Sequence, residues 1–149
     1  MNGTIISKIL QPVQQFMLFN GSKSFSLSAN LHEIRKLTRL RVVDNSNLGK
    51  QAMLDGKPPR CIHVYTKTGV GTIGDRILVA IKGLKKKALI VGVKGRKAIP
   101  MVPRFDSNNI VLLDDHGNPL GNRVLVPIPS MLRGRPEFAK IIAVSSRFL

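Results

Sequence analysis

Asp75-Arg76-Ile77-Leu78-Val79-Ala80-Ile81-Lys82, then Gly83, then Leu84-Lys85-Lys86-Lys87, then Ala88-Leu89-Ile90-Val91-Gly92-Val93: these nineteen residues carry the strongest fold signal in the chain. The first apolar run is rich in β-branched residues and reads as a strand buried largely on both faces. Gly83 breaks it, a lysine run follows, and Ala88 to Val93 resumes as a second strand. The pair reads as a β-hairpin whose tip carries Lys85, Lys86 and Lys87.

The neighbouring segments have the same character. Thr38 to Asp44 is β-branched-rich and is ended by the turn formers Asp44-Asn45-Ser46. Arg60 to Thr66 alternates, with Cys61, His63 and Tyr65 on one parity and Ile62 and Val64 on the other. Asn109 to Leu113 is a short apolar run closed by Asp114-Asp115-His116-Gly117, and Leu120 to Val126 follows, ending at Pro127. Six strand candidates with glycine and proline punctuation predict an all-β fold, a small antiparallel barrel. Between them no segment carries a ten-residue helical pattern, which argues against a βαβ parallel sheet. Short helices are expected only at the end, over 129–133 and 136–144. The polar loop 50–59 and the proline-pinned stretch 98–104 are expected to project from the barrel.

The first thirty-odd residues differ from the rest. Residues 1–32 contain no aspartate or glutamate, and serines crowd 22–28. Ile5, Ile6, Ile9, Leu10, Val13, Phe16 and Met17 form one apolar stripe if the segment coils, with a kink at Pro12. An amphipathic, serine-rich, acid-free leader is the composition of a mitochondrial presequence, although only Lys8 and Lys23 are basic. A merely disordered extension is the alternative. Residues 1–33 are therefore set apart as a transit peptide or extension, and 34–149 as a single barrel domain with a C-terminal helical segment.

Charge bounds the partners. The 149 residues carry 24 Lys and Arg against 8 Asp and Glu, a formal net charge of +16. Residues 34–149 hold 22 of the basic and 7 of the acidic residues, so the excess belongs to the folded part. A domain so charged repels itself unless a polyanion neutralises it, and nucleic acid is the leading expectation. One cysteine excludes an internal disulfide framework and any multi-cysteine zinc site. No apolar run approaches the ~18 residues that read as a membrane span.

Gly69-Val70-Gly71-Thr72-Ile73-Gly74 matches G-x-G-x-x-G, but the residues after it read as strand. The helix that would hold a pyrophosphate is missing, and the glycines are expected to relieve tight connections instead. Cys61 and His63 lack further ligands or a base, so Cys61 is expected to be a buried structural thiol. No catalytic carboxylate pair stands out, since Asp114-Asp115 reads as a turn and the other acids are scattered, leaving a catalytic reading no constellation to rest on; no cofactor or metal is expected. The positive signal is basic: Arg39 and Arg41 on one parity of the first strand, Lys82, the 85–87 run, Lys94, Arg96 and Lys97 after the return strand, Arg104, and Arg133 and Arg135 around a glycine. With only Tyr65, Phe105, Phe138 and Phe148 in the body, a single-strand stacking platform is disfavoured. Backbone and shape recognition of folded RNA remains.

Specific motifs then recur in order: Arg41-Val42-Val43-Asp44-Asn45-Ser46, Gly69-Val70-Gly71 with Gly74-Asp75, Arg104-Phe105-Asp106-Ser107-Asn108, Asn118-Pro119-Leu120-Gly121-Asn122-Arg123 with Pro127, and Phe138-Ala139-Lys140-Ile141-Ile142. Over 34–149 the chain resembles the universal large-subunit ribosomal protein of the L-fourteen family. The resemblance implies a five-stranded β-barrel with a projecting β-ribbon and small C-terminal helices, and no enzymatic activity. It implies binding to large-subunit rRNA, packing beside neighbouring ribosomal proteins, and contribution to a bridge to small-subunit rRNA. It also places Asn122, Arg123 and Lys140 on the subunit-joining face, where a ribosome-silencing factor docks in the family. Asn122 stands where the family has threonine, and the bacterial ribbon is longer than 82–104 here. The leader and the Arg60–Tyr65 strand make the chain look like the mitochondrial branch. A free-standing barrel-fold RNA-binding protein or RNA chaperone is the alternative, and a nucleotide-dependent enzyme using the glycine motif a more distant one.

Overall fold

A computed structural model describes residues 33–95 and 100–149. Residues 1–32 of the expected presequence, and with them Arg96 and Lys97, lie outside the described residues.

Five strands form one sheet: β1 (Arg41–Val42), β2 (Arg60–Val64), β3 (Arg76–Ile81), β4 (Leu84–Gly92) and β5 (Asn109–Leu113), in the spatial order β1-β5-β4-β3-β2. Three of the four pairings are antiparallel, while β1 lies parallel to β5. The sheet is thus mixed, where the sequence predicted antiparallel pairing throughout. The regular ladder is open, with β1 and β2 at its edges. The residues just ahead of β1 nevertheless reach β2: Leu37 N–H donates to Cys61 O at 2.8 Å, Cys61 N–H to Thr38 O at 2.9 Å, and Leu40 N–H to Pro59 O at 3.0 Å. These bonds join the two edges and give the sheet its barrel-like roll.

Both faces of the roll are covered, which explains the long apolar runs. The inner face packs Leu40, Val42, Val64, Ile77, Val79, Ile81, Ala88, Ile90, Ile110 and Leu112. The outer face of β4 and β5 packs Leu89, Val91, Val111 and Leu113 against Val124, Ile128, Leu132, Phe138 and Ile141 from the C-terminal third. All five residues of β5 are buried for this reason. Fully burying an aliphatic side chain of this size stabilises by about 1.5–3 kcal/mol. β3 is less buried than the sequence predicted: Ile77, Val79 and Ile81 are buried, while Leu78 and Ala80 are half-buried.

The C-terminal cover consists of two 3-10 turns, Ser130–Gly134 and Pro136–Phe138, and helix α2 (Ala139–Val144). Their limits match the two short helices expected there. Three expectations change. Leu120 to Val126 is not a regular strand; it makes isolated bridges only, Val124 to Asp44 and to Ser145. The expected polar loop begins as a helix, α1 (Asn47–Leu54), capped by Ser46, whose Oγ accepts from Gly49 N–H at 3.2 Å. One of the three residues read as turn formers is therefore a helix N-cap. Finally, the register Ile81↔Leu84 leaves Lys82 and Gly83 as a two-residue hairpin loop, with φ of 47° and 80°. Positive φ at both positions is the pattern of a type I′ turn, the connection that matches strand twist. The lysine run lies within β4, not at the tip. β5 pairs with β4 only as far as Lys87, so 84–86 extend beyond β5 and form the free end of the hairpin.

Candidate nucleic-acid interface

Within β4, side chains alternate across the sheet. Lys85 and Lys87 share the outer face with Leu89 and Val91, and Lys86 shares the inner face with Ala88 and Ile90. The three lysines thus divide between two faces, and Lys86 is half-buried at the end of the roll.

The remaining sequence-predicted cations fall into separate places. Arg39 and Arg41 are exposed, and Arg39 stands opposite Arg60 in an antiparallel bridge. The backbone N–H of Arg41 donates to Asn108 O, and that of Lys94 donates to Asn108 Oδ1 at 2.8 Å. Arg41 and Lys94 therefore flank Asn108. Arg104 is exposed in the connection that leads into β5. Lys82 is the one member of the set with an acidic partner among the described residues: its Nζ lies 2.8 Å from Asp55 Oδ2 and 3.3 Å from Gln51 Oε1. Apart from it, only Arg35 with Glu33 and Arg76 with Glu137 form ion pairs among the described residues.

Two surface grooves collect charges that lie far apart in sequence. In the first, Lys57, Arg60 and Lys82 meet beside Asp55. Lys57 and Arg60 carry no signal of their own in the sequence; the type I′ turn and the end of α1, which bring them to Lys82, were not legible there. The second groove is lined by Lys87, Arg76 and Lys140, together with His116 and the acids Asp115 and Glu137. Lys140 Nζ donates to Asn118 Oδ1, and Asn45 Nδ2 donates to Asn122 Oδ1 at 3.1 Å. Val124 N–H bonds to Val144 O, so the 118–124 segment runs beside α2 and places Asn122, Arg123 and Lys140 on adjacent elements. Arg123 and Lys140 are exposed.

The glycine motif behaves structurally. Gly69 and Gly74 have φ of 69° and 92°, and a Cβ on Gly71 would stand 2.5 Å from Ile90 Cδ1. β3 follows, not a helix. Cys61 is buried; its Sγ donates to His63 O at 3.7 Å, and burial pushes the thiol up from its ordinary range. Of the body aromatics, Phe138 is buried, and Phe148 lies 3.9 Å beneath the Arg133 guanidinium. Tyr65 is exposed and meets His63 edge-on. Among the described residues no three His, Cys, Asp or Glu side chains group as metal ligands, and no helix is long and apolar enough to cross a membrane.

A curled, strand-rich sheet covered on its outer face by short helices, bearing exposed cations on many elements, is a cationic scaffold. The family model for ribosomal protein L14p/L23e matches residues 33–149. A protein from Danio rerio named large ribosomal subunit protein uL14m is 48% identical over 150 aligned residues, covering 100% of this chain and 97% of that protein. The chain belongs to the ribosomal protein L14p/L23e family, whose members are structural components of the ribosome.

Proposed function

We propose that this protein is a structural constituent of the mitochondrial large ribosomal subunit, docked on large-subunit rRNA and on neighbouring ribosomal proteins. The full-length similarity to the Danio rerio uL14m protein, leader included, carries this reading. Mechanically, a rigid roll presents cations to phosphates, and each neutralised phosphate releases condensed counterion. Arg39, Arg41, Lys85, Lys87, Lys94 and Arg104, which form no ion pair among the described residues, are suited to that role; Arg96 and Lys97 belong to the same reading by sequence alone. Asn122, Arg123 and Lys140 form the face for a bridge to small-subunit rRNA and for a ribosome-silencing factor that blocks subunit joining. In support, they lie on adjacent elements away from the core. Residues 1–33 serve as the import leader.

Sedimentation of mitochondrial lysate through high-salt gradients tests the core of this reading. Co-migration with the large subunit is expected. Migration as free protein would favour a free-standing RNA-binding barrel.

A further inference from the structure

We propose that Lys57, Arg60 and Lys82 form a phosphate-binding groove that seats the sugar–phosphate backbone of large-subunit rRNA. This rests on the function proposed above and adds a site to it. The groove, of about 480 Å³, lies between the end of α1, the start of β2 and the β3–β4 turn. Lys57 follows α1, Arg60 opens β2, and Lys82 sits in the turn. Arg60 stands opposite Ala80 on the adjacent strand, and Ala80 and Pro58 also line the groove. Arg39, exposed across the bridge from Arg60, extends the positive strip beyond the groove.

Two features distinguish this from a solvated charged surface. First, the single acid in the groove, Asp55, is already occupied by Lys82 at 2.8 Å, so it leaves Lys57 and Arg60 uncompensated. Second, Lys82 is held in an unusual way. It occupies the first loop position of the turn with φ of 47°, where asparagine, aspartate or glycine is favoured and lysine is not. A side chain kept at a backbone position that resists it points to a role for the side chain. Asp55 and Gln51 then clamp its ammonium, which reduces the entropy given up when an anion arrives. Three cations on one groove with one engaged acid fit a polyanion better than an apolar or mixed-charge protein surface.

The test uses the full chain and in-vitro-transcribed large-subunit rRNA, with binding measured over a range of salt. Lys57→Gln combined with Arg60→Gln leaves the Lys82–Asp55 pair intact. It should flatten the slope of log binding constant against log salt by about two, one for each phosphate that the variant no longer neutralises. Lys36→Gln with Lys67→Gln removes the same charge from exposed positions outside the groove and should leave the slope near wild type. Lys57→Arg with Arg60→Lys should retain the wild-type slope. Each single glutamine variant should remove about one unit, which keeps the test open if the double variant folds poorly. Equal slopes for groove and control variants would overturn the proposal, as would intact RNA binding with release of a neighbouring protein from the assembled subunit. If wild type itself fails to bind the rRNA, the proposed function falls; if wild type binds and the groove variant matches it, only the groove falls.

Discussion

Asp44 places a carboxyl group where the barrel wall is otherwise apolar. It is 3% exposed, lies just past β1 and bridges to Val124. Its Oδ1 receives a long bond from Leu112 N–H at 3.5 Å, while Oδ2 has no partner. Burial raises its pKa above the ordinary carboxylate value, outweighing the hydrogen bonds that lower it. For an acid raised on folding, the contribution to stability is fully present below the unfolded pKa. It is lost as pH climbs through the folded one, because the charged form must then stay buried. Asp44→Asn removes that dependence. Thermal melting at acid and neutral pH should show wild type losing ground to the asparagine variant as pH rises; a constant difference would show that Asp44 does not titrate in this way. Comparison with the variant is needed because the exposed carboxylates act in both proteins alike. Gly121 is tied to the same carboxylate. A Cβ there would stand 2.8 Å from Asn45 N and 2.9 Å from Asp44 Oδ2. Gly121→Ala should therefore cost about 1–3 kcal/mol by overpacking, read from denaturant midpoints.

Among the secondary-structure elements, β4 turns a run of three lysines into two sets. Lys85 and Lys87 project from the outer face, and Lys86 follows the inner-face positions. Neutralising Lys85 and Lys87 together should flatten the salt dependence of rRNA binding by about two units. Lys86→Gln should change it by less than either single outer variant. Equal effects from all three would mean that the strand's alternation does not govern contact. Helix α1 depends on its cap. Ser46→Ala removes the acceptor of Gly49 N–H and should weaken the helix by about 1 kcal/mol. Hydrogen exchange should quicken across 47–54, with β4 and β5 left protected.

In the folded body taken together, the C-terminal third closes on itself as a cover. Val124 pairs with Ser145 and Ile128 with Phe148, so the last strip of chain lies along 124–128 and fastens the C-terminal helices over the outer face. Lys140 and Arg123 ride on that cover and not on the roll itself. Reversing both charges, Arg123→Glu with Lys140→Glu, should leave folding and large-subunit assembly intact, because neither side chain is buried. Binding of the silencing factor and joining of the small subunit should weaken together, in a pull-down and a subunit-joining gradient. Failure of large-subunit assembly would instead assign these residues to the RNA side.

Local signals in the chain were enough for the strand-rich class, the approximate places of the sheet's five strands, the glycine-relieved connections, the buried thiol, the short helices at the end and the cationic character. Period-two patterning, β-branched runs, turn residues and charge counts each act over a few residues, so they can be read without the fold. Long-range packing settled what remained. Ser46 reads as a turn former or as a helix cap, and only the helix after it distinguishes them. Arg60–Val64 alternates in sequence, yet a bulge between Cys61 and His63 buries Cys61 and Val64 together. The parallel seating of β1 on β5 joins residues some seventy positions apart, such as Arg41 and Asn109, and no local pattern records it. The same holds for the meeting of Lys57, Arg60 and Lys82. Residues that share a groove there are set side by side by register and by a turn's φ values, quantities that belong to the folded backbone and not to the order of the side chains.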